Sequence, residues 1–244
     1  STPLYSSAAS DVYKRQILAI VPARGGSQGV KLKNIHPLNG IPLIAHVGTI
    51  VRELGYIDKA IVSTDHEVIA EVARQSGLES PFMRPKELSG DRISDFQVLH
   101  HAVTTIEKLE GALYDIIVML QPTSPLRKLA HVTGTISKLI DGNWDAVWAV
   151  SPTNLKYHPL KQLQLCEDDS VEFCDPRGEG IIARQQLSPV FHRNGAAYAC
   201  TRNCLLEQRT VRGKRTAGLV IEESMISIDS VSYTHLTLPT NREV

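Results

Sequence analysis

Ile17-Leu18-Ala19-Ile20-Val21-Pro22-Ala23-Arg24-Gly25-Gly26-Ser27-Gln28-Gly29 is the stretch that decides how this chain is read. Its opening apolar run is short and lacks the polar alternation of a half-solvated strand. It predicts a strand buried on both faces, as in a parallel sheet. The glycine-dense turn then falls at the carboxyl end of that strand, where open α/β sheets place their ligands. Glycines let backbone N–H groups approach a polyanion, and Arg24, Lys31 and Lys33 add positive charge. The expected ligand is the phosphate chain of a nucleotide. The spacing is neither that of the Walker loop nor that of the three-glycine dinucleotide fingerprint.

Downstream, strand and helix signals alternate. Leu43, Ile44, Val47, Ile50, Val51 and Leu54 recur at helical spacing after Pro42 and stop at Gly55. Ala60 to Val62 reads as a second strand, followed by a helix that Thr64 or Asp65 can cap and that runs up to Gly77. Ser94 is placed to cap a helix through Leu109, ahead of a strand from Ile116 to Leu120. A helix near His131 to Ile140 then leads to a strand from Ala146 to Val150. This alternation predicts a Rossmann-like α/β fold with a mainly parallel sheet covered on both faces. The loops Arg24–Asn34, Thr64-Asp65 and Gln121–Arg127 should share its carboxyl rim.

From Ser151 to Pro189 the alternation breaks into a polar, proline-bearing stretch with the acidic run Glu167-Asp168-Asp169, read as an insertion (151–189) in a core of 17–150 and 190–230. Ser1–Gln16 and Val231–Val244 carry no sustained period and are expected to be non-native or disordered tails.

Acidic and basic side chains balance at 26 each, which removes any chain-wide field favouring nucleic acid or a membrane surface. No apolar run approaches bilayer length, and the first residues lack the apolar centre of a secretory signal; a cytoplasmic location is expected. Cys166, Cys174, Cys200 and Cys204 show no paired Cys-x-x-Cys spacing and are read as free thiols.

Ala23-Arg24, Gly26-Ser27 and Lys33-Asn34 after the first strand, Gln121-Pro122-Thr123-Ser124-Pro125-Leu126-Arg127, His158-Pro159-Leu160-Lys161, Arg184-Gln185-Gln186-Leu187 and Asn194-Gly195-Ala196-Ala197-Tyr198 occur in an order that resembles the CMP-sialic acid synthetase (acylneuraminate cytidylyltransferase) family, from about Ile17 to Ser230. The resemblance implies transfer of CMP from CTP to an acidic nine-carbon sugar, with Mg²⁺ as cofactor and a homodimer joined through the insertion. It implies that Ala23, Arg24, Gly26, Ser27, Lys33, Asn34, Arg84 and Ser94 bind the nucleotide. It also implies that Gln121, Thr123, Ser124, Lys161, Arg184, Gln185 and Tyr198 bind the sugar, some of them across the dimer. Arg24, Lys33 and Asp229 are the implied catalytic residues, with Asp229 holding the metal. Other readings are a CMP-octulosonate synthetase and a non-catalytic nucleotide-binding protein.

The residue types suit the chemistry. A sugar oxygen attacking the α-phosphorus of CTP needs charge neutralised and groups held in line, which guanidinium groups, a lysine and a hard cation supply. Departures from the family pattern are Gln28 for a frequent lysine, Asp95 for a small hydroxyl residue, Ser227 or Val231 where a second aspartate stands, and His192-Arg193, which leaves open which of these two faces the substrate. His36, His46, His66, His100 and His101 are not tied to the site by motif, so metal-bound or ordered water is expected to take the sugar's proton.

Overall fold

The computed structural model describes residues 15–27, 29–223, 225 and 228. In chain order it forms β1 (Ile17–Pro22), the short β2 (Pro37–Leu38) and β3 (Ile41–Pro42), α1 (Leu43–Glu53), β4 (Lys59–Ser63), α2 (Glu67–Gln75), α3 (Asp95–Glu110) and β5 (Ile116–Met119). There follow α4 (Leu129–Asp141), β6 (Ala146–Pro152), β7 (Leu163–Leu165), β8 (Val171–Phe173), β9 (Phe191–Thr201), α5 (Arg202–Leu206) and β10 (Thr216–Val220). The central sheet runs β10-β6-β9-β5-β1-β4.

β1 lies between β4 and β5, parallel to both. Ile17, Ala19 and Val21 pack into one layer with Ile44, Val47, Val132 and Ile136, while Leu18 and Ile20 pack into the other with Leu99, Val103 and Ile106. All five residues from Ile17 to Val21 are fully buried, which is why the run is continuous rather than alternating. Each such aliphatic side chain contributes roughly 1.5–3 kcal/mol of transfer free energy. The start of β1 is tied down by Asp58, whose carboxylate accepts from the Ile17 N–H at 2.6 Å.

The sheet is mainly parallel as the sequence predicts, with one antiparallel strand that it did not single out, and one helix start departs from the expectation. β9 runs antiparallel between β5 and β6, so the sheet is mixed. The pairing of β6 with β9 breaks at Trp148 and Val150, where residues 193 to 198 of β9 bulge against 150 to 148 of β6. The helix expected from Thr64 or Asp65 begins later, at Glu67, with His66 in the cap position. Thr64 Oγ1 instead accepts from the His66 N–H (3.2 Å), and Asp65 reaches the glycine loop.

Ser94 caps α3 as expected, in a reciprocal box with Gln97. Between β6 and β9 the chain forms short 3-10 turns and the β7–β8 hairpin, where Leu163, Leu165 and Val171 are exposed. The four cysteines are free thiols. Gln16 was expected to belong to a loose tail, yet its N–H donates to Asp115 (2.9 Å) and its side chain to Asp58, which extends the ordered core to it. Residues 1–14 and 231–244 lie outside the described residues. No described helix is long and apolar enough to cross a membrane.

At Gly48 a methyl group would run into the carbonyl oxygen of Ser76, just beyond α2. Gly48→Ala is expected to lower stability by about 1–3 kcal/mol through this overpacking. Urea unfolding reads it as a lower midpoint at unchanged slope, and an unmoved midpoint contradicts the contact.

Candidate active site

At the carboxyl ends of β1 and β5 lies a cavity of about 420 Å³. Its lining includes Arg24, Ser27, Lys33 and Asn34 from the first loop, Arg84 from the loop between α2 and α3, and Gln121 and Thr123 from the turn after β5. The topology brings these three loops together. The cavity sits where the first strand's reading placed it.

The first loop is braced from beneath. The Ala23 N–H donates to Ser63 O (2.9 Å), the Gly25 N–H to Asp65 Oδ1 (2.8 Å), and Asn34 Nδ2 to Arg24 O (3.0 Å). Gly25 lies so close to the His66 ring that a Cβ there would sit 2.8 Å from it. The amides of this glycine loop were expected to approach phosphate; that of Gly25 is taken by Asp65. Asn34, 5% exposed, is an internal brace that also borders the cavity.

Arg24 forms an ion pair with Asp91 at 2.5 Å, across the cavity wall. Arg84, expected at the nucleotide, is 4% exposed. Its N–H donates to Thr64 O (2.7 Å) and its Nε to Ser89 Oγ (3.2 Å). Burial lowers its pKa, Asp65 opposes that shift, and Arg24 adds to it. Two guanidinium groups close enough to feel each other suit a polyanionic ligand.

Behind the Gln121–Arg127 turn stands a residue to which the sequence assigned no role. Arg127 is buried and donates through Nη2 to Gln121 O (2.6 Å) and Gly195 O (3.1 Å), and through Nε to Ala196 O. Burial pushes its pKa down to about 9. It fastens the turn after β5 to the bulge in β9. Gly195 has φ +75°, and a Cβ there would collide with Ser124 Oγ and approach Gln121 Oε1, so only glycine fits.

Several expected site residues serve other ends. Ser124 is fully buried and donates to Asn194 O (2.9 Å), so it holds the turn rather than facing the cavity. The Tyr198 hydroxyl accepts from the Gly195 N–H (2.6 Å), and its ring lies beneath Arg193. Ser94 Oγ is occupied with Gln97 (2.9 Å). Ala23 is buried under the loop, and Gly26 is exposed beside it. Lys161, Arg184 and Gln185 are exposed on the segment between β6 and β9 and do not line this cavity. Asp229 lies outside the described residues, as does Gln28. The nearby Ile228 N–H donates to Thr123 O (2.9 Å), on the cavity wall. Of the two residues left open, His192 Nδ1 bonds Thr153 Oγ1 (2.8 Å) and Arg193 pairs with Asp95 (2.8 Å).

A mixed α/β sheet that gathers two arginines and a lysine around a cleft at its carboxyl rim is the frame of a nucleotidyltransferase. The chain belongs to the cytidylyltransferase family, whose profile matches residues 18–232. It is 29% identical to a CMP-N,N'-diacetyllegionaminic acid synthase of Legionella pneumophila, over 88% of this chain and 90% of that one. It is 29% identical to a pseudaminic acid cytidylyltransferase of Campylobacter jejuni, over 88% and 91%. With an N-acylneuraminate cytidylyltransferase of Streptococcus agalactiae it shares 30% identity over 87% of this chain and 50% of the relative. Among solved structures, a CMP:2-keto-3-deoxy-manno-octonic acid synthetase complexed with CTP superposes with a TM-score of 0.63 at 16% identity, covering 89% of this chain and 94% of that one. At that identity the likeness is one of fold.

Arg127→Ala would leave the carbonyls of Gln121 in the turn and of Gly195 and Ala196 in β9 without this donor. A loss of about 3 kcal/mol or more is expected, which for a domain of this size lowers the melting temperature by roughly 6–12 °C. Arg127→Lys, with a single ammonium in place of the fork, should recover only part of it. Unchanged melting in the alanine variant contradicts the clamp.

Proposed function

We propose that the chain catalyses transfer of CMP from CTP to a nonulosonic acid, releasing pyrophosphate. The observation that carries this reading is the convergence of Arg24, Lys33 and Arg84 on one cavity in a chain of the cytidylyltransferase family. Relatives named for legionaminic, pseudaminic and N-acylneuraminic acids favour a sialic-acid-like sugar.

In this reading an oxygen of the sugar attacks the α-phosphorus of CTP, and the bond to the β-phosphate breaks in line. Arg24 and Lys33 neutralise the charge gathering on pyrophosphate, and Arg84 lies against the nucleotide. Arg24 reaches the triphosphate by exchanging Asp91 for phosphate oxygens. Gln121 and Thr123, in a turn stiffened by Pro122 and Pro125, are placed to orient the sugar. The described residues lining the cavity include no histidine, so the sugar's proton passes to ordered water.

Mg²⁺ belongs to the same proposal, with Asp229 as its protein ligand. Among the described residues no three His, Cys, Asp or Glu side chains gather to hold a metal. The carboxylates on the cavity wall, Asp91 and Asp95, are each paired with an arginine. That donor set does not make a metal site by itself.

The segment 151–189 is proposed to join two copies. Leu165 is 70% and Ile182 94% exposed on it, and Lys161, Arg184 and Gln185 stand away from their own chain's cavity, where they are free to serve a partner's.

Two measurements check this reading. Pyrophosphate release should require both CTP and one member of a panel of eight- and nine-carbon acid sugars, and Arg24→Ala should lower kcat/KM roughly 100- to 1,000-fold. Preference for another nucleotide, or turnover with the eight-carbon acid alone, overturns it. In sedimentation the wild type should run as a dimer and Leu165→Glu as a monomer; a wild-type monomer refutes the assembly.

A further inference from the structure

Asp95 sets a problem for any anion entering the cleft. It is the first residue of α3 and lines the cavity together with Arg24 and Arg84. A bare carboxylate there would repel a triphosphate. Its partner is Arg193, whose Nη2 lies 2.8 Å from Asp95 Oδ2 although the two are 98 residues apart in sequence.

Arg193 is held unusually firmly for a half-exposed arginine. Its guanidinium carbon lies 4.7 Å from the centre of the Trp148 ring and 4.3 Å from that of Tyr198. These rings meet edge to face at 6.1 Å, and the guanidinium occupies the corner they form. Tyr198 is fixed in turn by its bond from the Gly195 N–H. Two ring contacts and an ion pair leave the side chain little rotamer freedom to lose, so this pair escapes much of the entropic penalty that makes ordinary surface pairs weak. Arg193 is not among the residues lining the cavity; Asp95 is. The bulge in β9 sets Arg193 at the near end of the irregular stretch that also carries Gly195.

We propose that Arg193 is a positioning residue of the nucleotide cleft: by holding Asp95 paired, it removes a negative charge from the field that a bound polyphosphate meets, without touching the nucleotide. The inference rests on the reading of the cavity as a CTP site.

Calorimetric titration of the full chain with CMP, CDP and CTP, with melting curves run beside it, tests the inference. Arg193→Gln uncovers one charge beside the cleft and should weaken CTP binding about tenfold and CMP binding only about two- to threefold. The double variant R193Q/D95N should return CTP affinity to within about twofold of wild type, since the repelling charge is gone. Arg193→Met, which keeps an apolar body against the rings, takes the place of Arg193→Gln if the latter melts below the assay temperature. Equal losses for CMP and CTP, or a double variant as weak as the single one, would make Arg193 a structural staple or a direct contact and overturn the proposal. Wild type that fails to bind CTP refutes the cleft reading itself; wild type that binds, with variants that do not follow the pattern, refutes this inference alone.

Discussion

Arg24, Lys33 and Arg84 converge on one cavity, and like charges held that close must be restrained by something other than each other. Much of the surrounding structure answers this constraint. Asp91 pairs with Arg24, Asp65 lies near Arg84 while holding the Gly25 amide, and Asn34 fastens the backbone carbonyl of Arg24 itself. The carboxylates are not spectators: each one lowers the cost of assembling the cations before a ligand arrives. A polyanion that enters takes over that role, and the geometry needs little rebuilding to receive it.

The second support is mechanical. A turn rigid enough to present Gln121 and Thr123 has to be attached to the sheet behind it, and the buried Arg127 fork attaches it to β9 through backbone carbonyls. Gly195, with its positive φ, allows β9 to come close enough for this. β9 being antiparallel is part of the same arrangement, since its bulge carries the carbonyls that Arg127 needs.

The sequence made the sheet's parallel part legible because burial on both faces writes an unbroken apolar run into β1, and because Gly55 and Gly77 close their helices with positive φ. The first loop and Gln121–Thr123 were legible for a related reason: strand ends in parallel sheets share a rim. What was not legible depends on side-chain direction. Ser124 and Tyr198 sit in motifs beside the site, yet one donates to Asn194 O and the other accepts from Gly195 N–H. Spacing along the chain cannot separate a residue that faces the cleft from its neighbour that holds it. Arg127 closes the quoted turn motif, but of its three carbonyl partners two belong to distant β9, which leaves no local pattern. The Arg193–Asp95 pair is of the same kind: the sequence singles out each residue, but only the fold joins them.

The central claim is that the cations of this cleft serve to hold a triphosphate, and that Arg24 is paired with Asp91 until one comes. A crystal structure with CTP bound tests it most directly. The account predicts the phosphate chain in the cavity with the Arg24 guanidinium on its oxygens, parted from Asp91, and with Arg193 still on Asp95. CTP bound elsewhere, or in the cavity with Arg24 still paired to Asp91 and clear of the phosphates, contradicts it.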